Sequence, residues 1–139
     1  MKFAIKLNII SIIYAFIMFI NIELMLNIYR ISRIIGWSLH RSIEIVIMIM
    51  VGGFILCIFL FYKLIKSWMG GRKASFFSSI LWIPYFILFV YGFASLFPIT
   101  NGADKPNPIT GLVILGELIF YPIYLTLINF IGISSSNTV

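Results

Sequence analysis

Little in this 139-residue chain is available for chemistry: it holds one cysteine, one histidine and four acidic residues. Cys57 lies alone in an apolar run, which excludes a disulfide framework and a C-x-x-C redox pair. A lone His40 removes haem held by a histidine pair and most metal sites. H-E-x-x-H, G-x-S-x-G, paired intramembrane aspartates and a phosphate-binding glycine loop are all missing. Hydrolysis needs a nucleophile with a base and an orienting group, or a metal with several ligands, and no such set assembles here. The expectation is a non-enzyme with no cofactor and no metal.

What is present is apolar. Hydrophobic residues make up 62% of the chain and charged ones 10%, and the mean hydropathy is +1.12. These values lie far outside the range of soluble domains. Four long apolar runs, at about 5–26, 43–62, 76–97 and 109–131, each match the roughly 20 residues that a helix needs to cross about 30 Å of hydrocarbon. The expected fold is all-α: one integral membrane domain of four transmembrane helices in an antiparallel bundle. The first run is too long for a signal-peptide core and no small-x-small cleavage pattern follows it, so it reads as a retained span. Heavy use of Ile, Asn and Lys fits an AT-rich bacterial gene, and hence a place in the inner (plasma) membrane.

The net charge of +6 would point to nucleic acid in a soluble protein. Here the ten Lys and Arg gather in the ends and connections, where anionic headgroups account for them, so no nucleic-acid partner is expected. With four spans, six of the ten fall on the side of the amino terminus and four on the other, which favours a cytoplasmic amino terminus.

The connection after the first span has its own pattern. Ile28, Ile31, Ile35 and Leu39 follow helical spacing, with Arg30, Arg33, His40 and Arg41 on other faces. That predicts a short amphipathic helix at the membrane surface, with Trp37 at headgroup level and a break at Gly36. Arg30, Arg33, Trp37, His40 and Arg41 would contact headgroups or a protein partner. Glu44 stands four residues after His40, close enough for a local pair. In the first span, Asn8, Ser11 and Ala15 share a face, and Ser11 and Ala15 form a small-xxx-small pair that invites a neighbouring helix. Gly52 and Gly53 in the second span predict a close helix approach or a bend. Lys63, Lys66, Arg72 and Lys73, with Gly70-Gly71, predict a basic helical hairpin over 63–75.

The fourth span carries one carboxylate, Glu117, near its middle. An ionisable group at that depth is costly, which makes it the first functional candidate. Tyr121 and Tyr124 share its face by helical spacing. In the third span Pro84, Leu88, Tyr91 and Ser95 share a face, and a proline frees a carbonyl that neighbours must satisfy, so this face is expected to turn inward. Glu117 would then meet Tyr91 and Ser95, either as a neutral acid fastening two helices or as a binding site for a proton or cation, with Glu23 and Glu44 at the outer mouth.

Three functions follow as expectations. The first is a binding or protective membrane protein, such as one conferring immunity to a pore-forming toxin or bacteriocin, whose partners are the bilayer and a toxin or another membrane protein. The second is a small homo-oligomeric transporter or channel subunit centred on Glu117. The third is a holin-like lesion former, which the uncharged tail disfavours.

Overall fold

A computed structural model describes residues 2–70 and 72–136. Among these there is no strand, and four helices are long and apolar enough to cross a membrane: Phe3–Leu26, Leu39–Trp68, Lys73–Leu96 and Pro108–Ser135. The α-helices are α1 (Phe3–Leu26), α2 (Ile28–Ile35), α3 (Leu39–Lys63), α4 (Ser78–Leu96) and α5 (Pro108–Ser136). A π-helical turn, Leu64–Trp68, prolongs α3, and a 3-10 turn, Lys73–Phe77, leads into α4.

Local chemistry sets the breaks. At Asn27 the backbone leaves the α region and its N–H closes α1 on Glu23 O, after which α2 begins at once. Gly36 ends α2 in the left-handed region at φ 76°, which glycine adopts without a Cβ penalty. Ser38 then caps α3, its hydroxyl accepting the Arg41 N–H. The break at Gly36 falls where the sequence places it, but Leu39 belongs to the long helix and not to the surface one. At its far end α3 runs on past the expected limit, so Lys63 and Lys66 are helical and the hairpin shrinks to a turn at Gly70, with φ 64°. Gly71 lies outside the described residues.

The core is a seam in which Tyr14, Phe61, Ile65 and Leu125 are fully enclosed. α1 and α4 share the most extensive contact. Ser11 and Ala15 are buried, as their spacing predicts, and Asn8 accepts a hydrogen bond from Tyr85 of α4. Phe16 and Phe19 pack on Phe89, and Phe19 also on Phe93.

That packing inverts the expected face of α4. Trp82, Tyr85, Phe86 and Phe89 turn inward, while Pro84, Leu88, Tyr91 and Ser95 are exposed. The aromatic stripe offers far more apolar contact area than the proline face, and it decides the rotation. The glycine expectation is corrected too. A Cβ on Gly52 or Gly53 would meet nothing within 4 Å, and α3 continues through both. The close approach is at Gly132, where a Cβ would lie 2.8 Å from Ile65 Cγ2.

Contacts fix which ends meet. Lys6 Nζ donates to Trp68 O, and Tyr14 packs edge-on against Phe61. Trp82 meets Tyr121, Phe54 meets Tyr124, and Ser79 meets Asn129. α3 and α5 keep long exposed rows of Ile, Leu and Phe, such as Ile47, Leu56, Phe59, Ile119, Phe120 and Phe130. Such surfaces suit a helix solvated by lipid.

Candidate functional site

The most heavily built polar site lies where α2 meets the connection between α4 and α5. Asn101 starts a tight turn there: its side chain accepts the Ala103 N–H and its carbonyl accepts the Asp104 N–H. The turn presents Asp104, only 2% exposed, to α2. Arg33 forks onto it, Nε to Oδ1 at 2.9 Å and Nη2 to Oδ2 at 2.7 Å. Arg30, one turn earlier, has Nε 3.9 Å from Oδ2 and donates through Nη1 and Nη2 to the carbonyls of Phe97 and Pro98, at 3.2 and 2.7 Å. Bidentate guanidinium–carboxylate pairing is among the strongest polar contacts a protein makes. The hydrogen bonds and charge of Arg33 hold the Asp104 carboxyl below its ordinary value, and Asp104 in turn pushes the Arg33 guanidinium up. These two arginines therefore serve the protein itself as well as any headgroup.

Beside this clamp runs an apolar groove of about 490 Å³ between the ends of α1 and α4, walled by Phe19, Ile20, Leu24, Ile31, Phe93 and Phe97. Glu23, Asn27 and Arg30 form its polar end. Asn27 Nδ2 donates to Glu23 Oε2 at 2.9 Å and to Glu23 O at 3.0 Å. No Lys or Arg lies within ion-pair distance of Glu23 among the described residues. A second groove of about 330 Å³ shares Glu23, Asn27, Phe93 and Phe97 and extends to Pro98.

Glu117 is half-buried, and its Oε2 is enclosed without a hydrogen-bond partner. The tyrosines on its face point elsewhere. Tyr121 Oη donates to Tyr14 O at 2.8 Å, and Tyr124 Oη donates to Phe54 O at 3.1 Å. Tyr91 is 73% exposed, and Ser95 donates back to Tyr91 O within its own helix. The expected contact of Glu117 with Tyr91 and Ser95 does not form, because α4 is rotated to bury its aromatic stripe.

The structure brings His40 and Glu44 together at 3.0 Å, both exposed, as their spacing predicts. Trp37 lies under Arg41, whose guanidinium carbon is 5.4 Å from the ring centre, and Ser32 Oγ caps the Trp37 carbonyl. Glu44 therefore lies apart from Glu117 in a local surface pair. Among the described residues no three of His, Cys, Asp and Glu gather in one place.

Sequence reasoning missed two features. Asp104 looked like an ordinary loop acid, although the excess of arginine on α2 was a usable hint. The second is a buried polar cluster in which Asn129 Nδ2 donates to Ser79 Oγ at 3.1 Å and to Leu125 O at 2.9 Å. Trp82 Nε1 donates to Ser79 O, and Ser78 Oγ to Ser75 O. Tyr14 Oη stands beside Ser78 and Asn129 without meeting either at hydrogen-bonding geometry. Serines at 78 and 79, which face Asn129 across the seam, and an asparagine within a long apolar run were the available signal.

Comparison of the chain with protein-family models, curated proteins and solved structures finds no match.

Proposed function

We propose that this chain is a multi-pass protein of the bacterial inner membrane with a non-catalytic binding role, of the protective kind that blocks a pore-forming toxin or bacteriocin. In this reading the four long helices cross the bilayer in alternating directions, with the amino terminus in the cytoplasm and α2 at the outer surface. The end-to-end contacts support the alternation: the start of α1 meets the end of α3 through Lys6 and Trp68, and the end of α5 meets the start of α4 through Asn129 and Ser79.

The observation that carries the binding role is where the interior polar groups go. Tyr121, Tyr124 and Asn129 each spend their donors on a neighbouring helix or on their own backbone. Groups used as fasteners in this way are withdrawn from any polar route across the membrane. What remains for a partner is the outside: the apolar flanks of α3 and α5, and the end capped by α2. Partners in this reading are the bilayer and a membrane-embedded toxin or another membrane protein.

Cells lacking the gene should become sensitive to the membrane-permeabilising toxin made by the same strain, and the intact gene should restore resistance. Unchanged sensitivity would overturn the reading.

One observation favours a second reading, a small homo-oligomeric transporter or channel subunit. The enclosed Glu117 Oε2 has no hydrogen-bond partner among the described residues, as a group that takes up a proton or cation would require. Its signature is ion flux into liposomes that Glu117→Gln abolishes.

A further inference from the structure

The four acids of this chain differ in how their charge is answered. Asp104 faces two arginines and Glu44 faces His40. Glu23 accepts from the Asn27 amide and feels the charge of Arg30, but among the described residues no Lys or Arg closes on it as an ion pair. The nearby Arg30 is turned toward Phe97 and Pro98 carbonyls, so it lines the same groove without closing on Glu23. A carboxylate and a guanidinium thus share the polar end of one groove and do not neutralise each other directly. Glu23 is partly buried, and a carboxylate withdrawn from water without a direct counter-ion favours an occupant that brings one.

The rest of the groove limits what that occupant can be. Six apolar side chains wall it, and it opens on the side of the molecule between α1 and α4. Glu23 is in the last turn of α1, and Phe93 and Phe97 mark the end of α4. If these helices cross a bilayer, that position is where acyl chains give way to headgroups. The occupant must be apolar along most of its length and carry both signs of charge at one end.

We propose that this groove holds a phospholipid of the ethanolamine type. Its ammonium donates hydrogen bonds to the Glu23 carboxylate, its phosphate lies against Arg30, and an acyl chain occupies the apolar trough. Two of the five guanidinium N–H groups of Arg30 are taken by the Phe97 and Pro98 carbonyls, which leaves donors for phosphate oxygens. A choline headgroup carries the same charge and has no N–H to donate, so it fits the carboxylate less well. A glycerol headgroup brings no cation at all. The inference needs the chain to sit in a membrane, but it is independent of any toxin partner.

The test uses the full chain in detergent, supplied with equal amounts of ethanolamine, choline and glycerol phospholipids, and reads retained lipid by native mass spectrometry. The ethanolamine lipid should be retained roughly tenfold over the choline lipid, the scale of one charge-assisted hydrogen bond. Glu23→Gln should erase that preference. Ile20→Trp, which fills the trough, should reduce retention of the lipid itself. Ile80→Trp, in a separate groove between α4 and α5, should change neither. Equal retention of the ethanolamine and choline lipids, a preference for the glycerol lipid, or a preference that survives Glu23→Gln would overturn the proposal. Should Glu23→Gln unfold, Ile20→Trp decides alone, and undiminished retention in that variant overturns it.

Discussion

Asp104 lies in the connection before the last helix and Glu117 well inside it, and the protein treats these two carboxylates in opposite ways. Asp104, in the connection before α5, is enclosed by α2 and forked by Arg33. Glu117, inside α5, has one oxygen enclosed that receives no hydrogen bond from the described residues. Depth in an apolar segment says what an acid costs. It does not say where the acid finds a partner, and the acid that organises a contact is the one in the connection, which the turn at Asn101 presents to α2. α2 is short and has no fully buried residue, so polar contacts to the α4–α5 connection do for it what core packing does for the long helices.

Removing that contact gives the largest expected effect. Asp104→Asn keeps the shape and removes the charge, so Arg33 loses its paired acceptor and Arg30 its nearby anion. Amide exchange across 28–35 should quicken roughly tenfold or more, while the core of α1 and α5 stays protected. Arg33→Lys should fall between, because lysine keeps the charge and loses the fork. Unchanged protection in α2 would mean that its apolar face anchors it and that the contrast between the two acids is empty.

The same contact can be titrated without mutation. Asp104 is held below the ordinary carboxylate value of 3.8, first by its hydrogen bonds to Arg33 and then by the arginine charges. A lowered value in the folded state gives a contribution that is fully present above the unfolded value and lost as pH falls through the folded one. Protection of α2 should therefore be flat from neutral pH down to about 4 and decline only below 3.8. Arg33→Ala should remove that acid limb. A decline already present at pH 6 would assign the pH response to a group other than Asp104.

The contrast also marks what could be seen in the sequence. The four long helices, the separate α2 and the His40–Glu44 pair all follow from spacing and composition within one stretch of chain, whereas the expected extension of the surface helix to Leu39 does not hold. The Ser11–Ala15 contact was legible for the same reason, since a face of small residues announces its own packing. The rotation of α4 was not. Proline and aromatic stripes compete for the inside of a helix, and only the neighbouring α1, with Phe16 and Phe19 in place, decides between them. Gly132 was missed and Gly52-Gly53 preferred because a glycine's use depends on what faces it, here Ile65 far away in sequence. Arg33 and Asp104 stand 71 residues apart, and no local pattern links them. Glu23 was placed at the outer end by its position, but the groove that gives it a role needs Phe93 and Phe97 beside it.

The smallest expected effect is at Glu117 itself. If its enclosed oxygen has no partner, Glu117→Gln exchanges one polar group for another of the same shape and should shift unfolding in detergent by less than about 0.5 kcal/mol. Glu117→Leu removes the burden of enclosing an unpaired polar atom, and should stabilise the protein by about 1 kcal/mol. Both variants leave Tyr121 bonded to Tyr14 O and Tyr124 bonded to Phe54 O, so the fastening of α5 to α1 and α3 does not change. A loss of stability above about 1 kcal/mol in Glu117→Leu would instead mark Glu117 as a fastener like Asp104. A gain in stability together with a loss of ion flux in the same variant would separate the two roles most sharply, because a group kept at a cost to folding and needed for transport is retained for its chemistry.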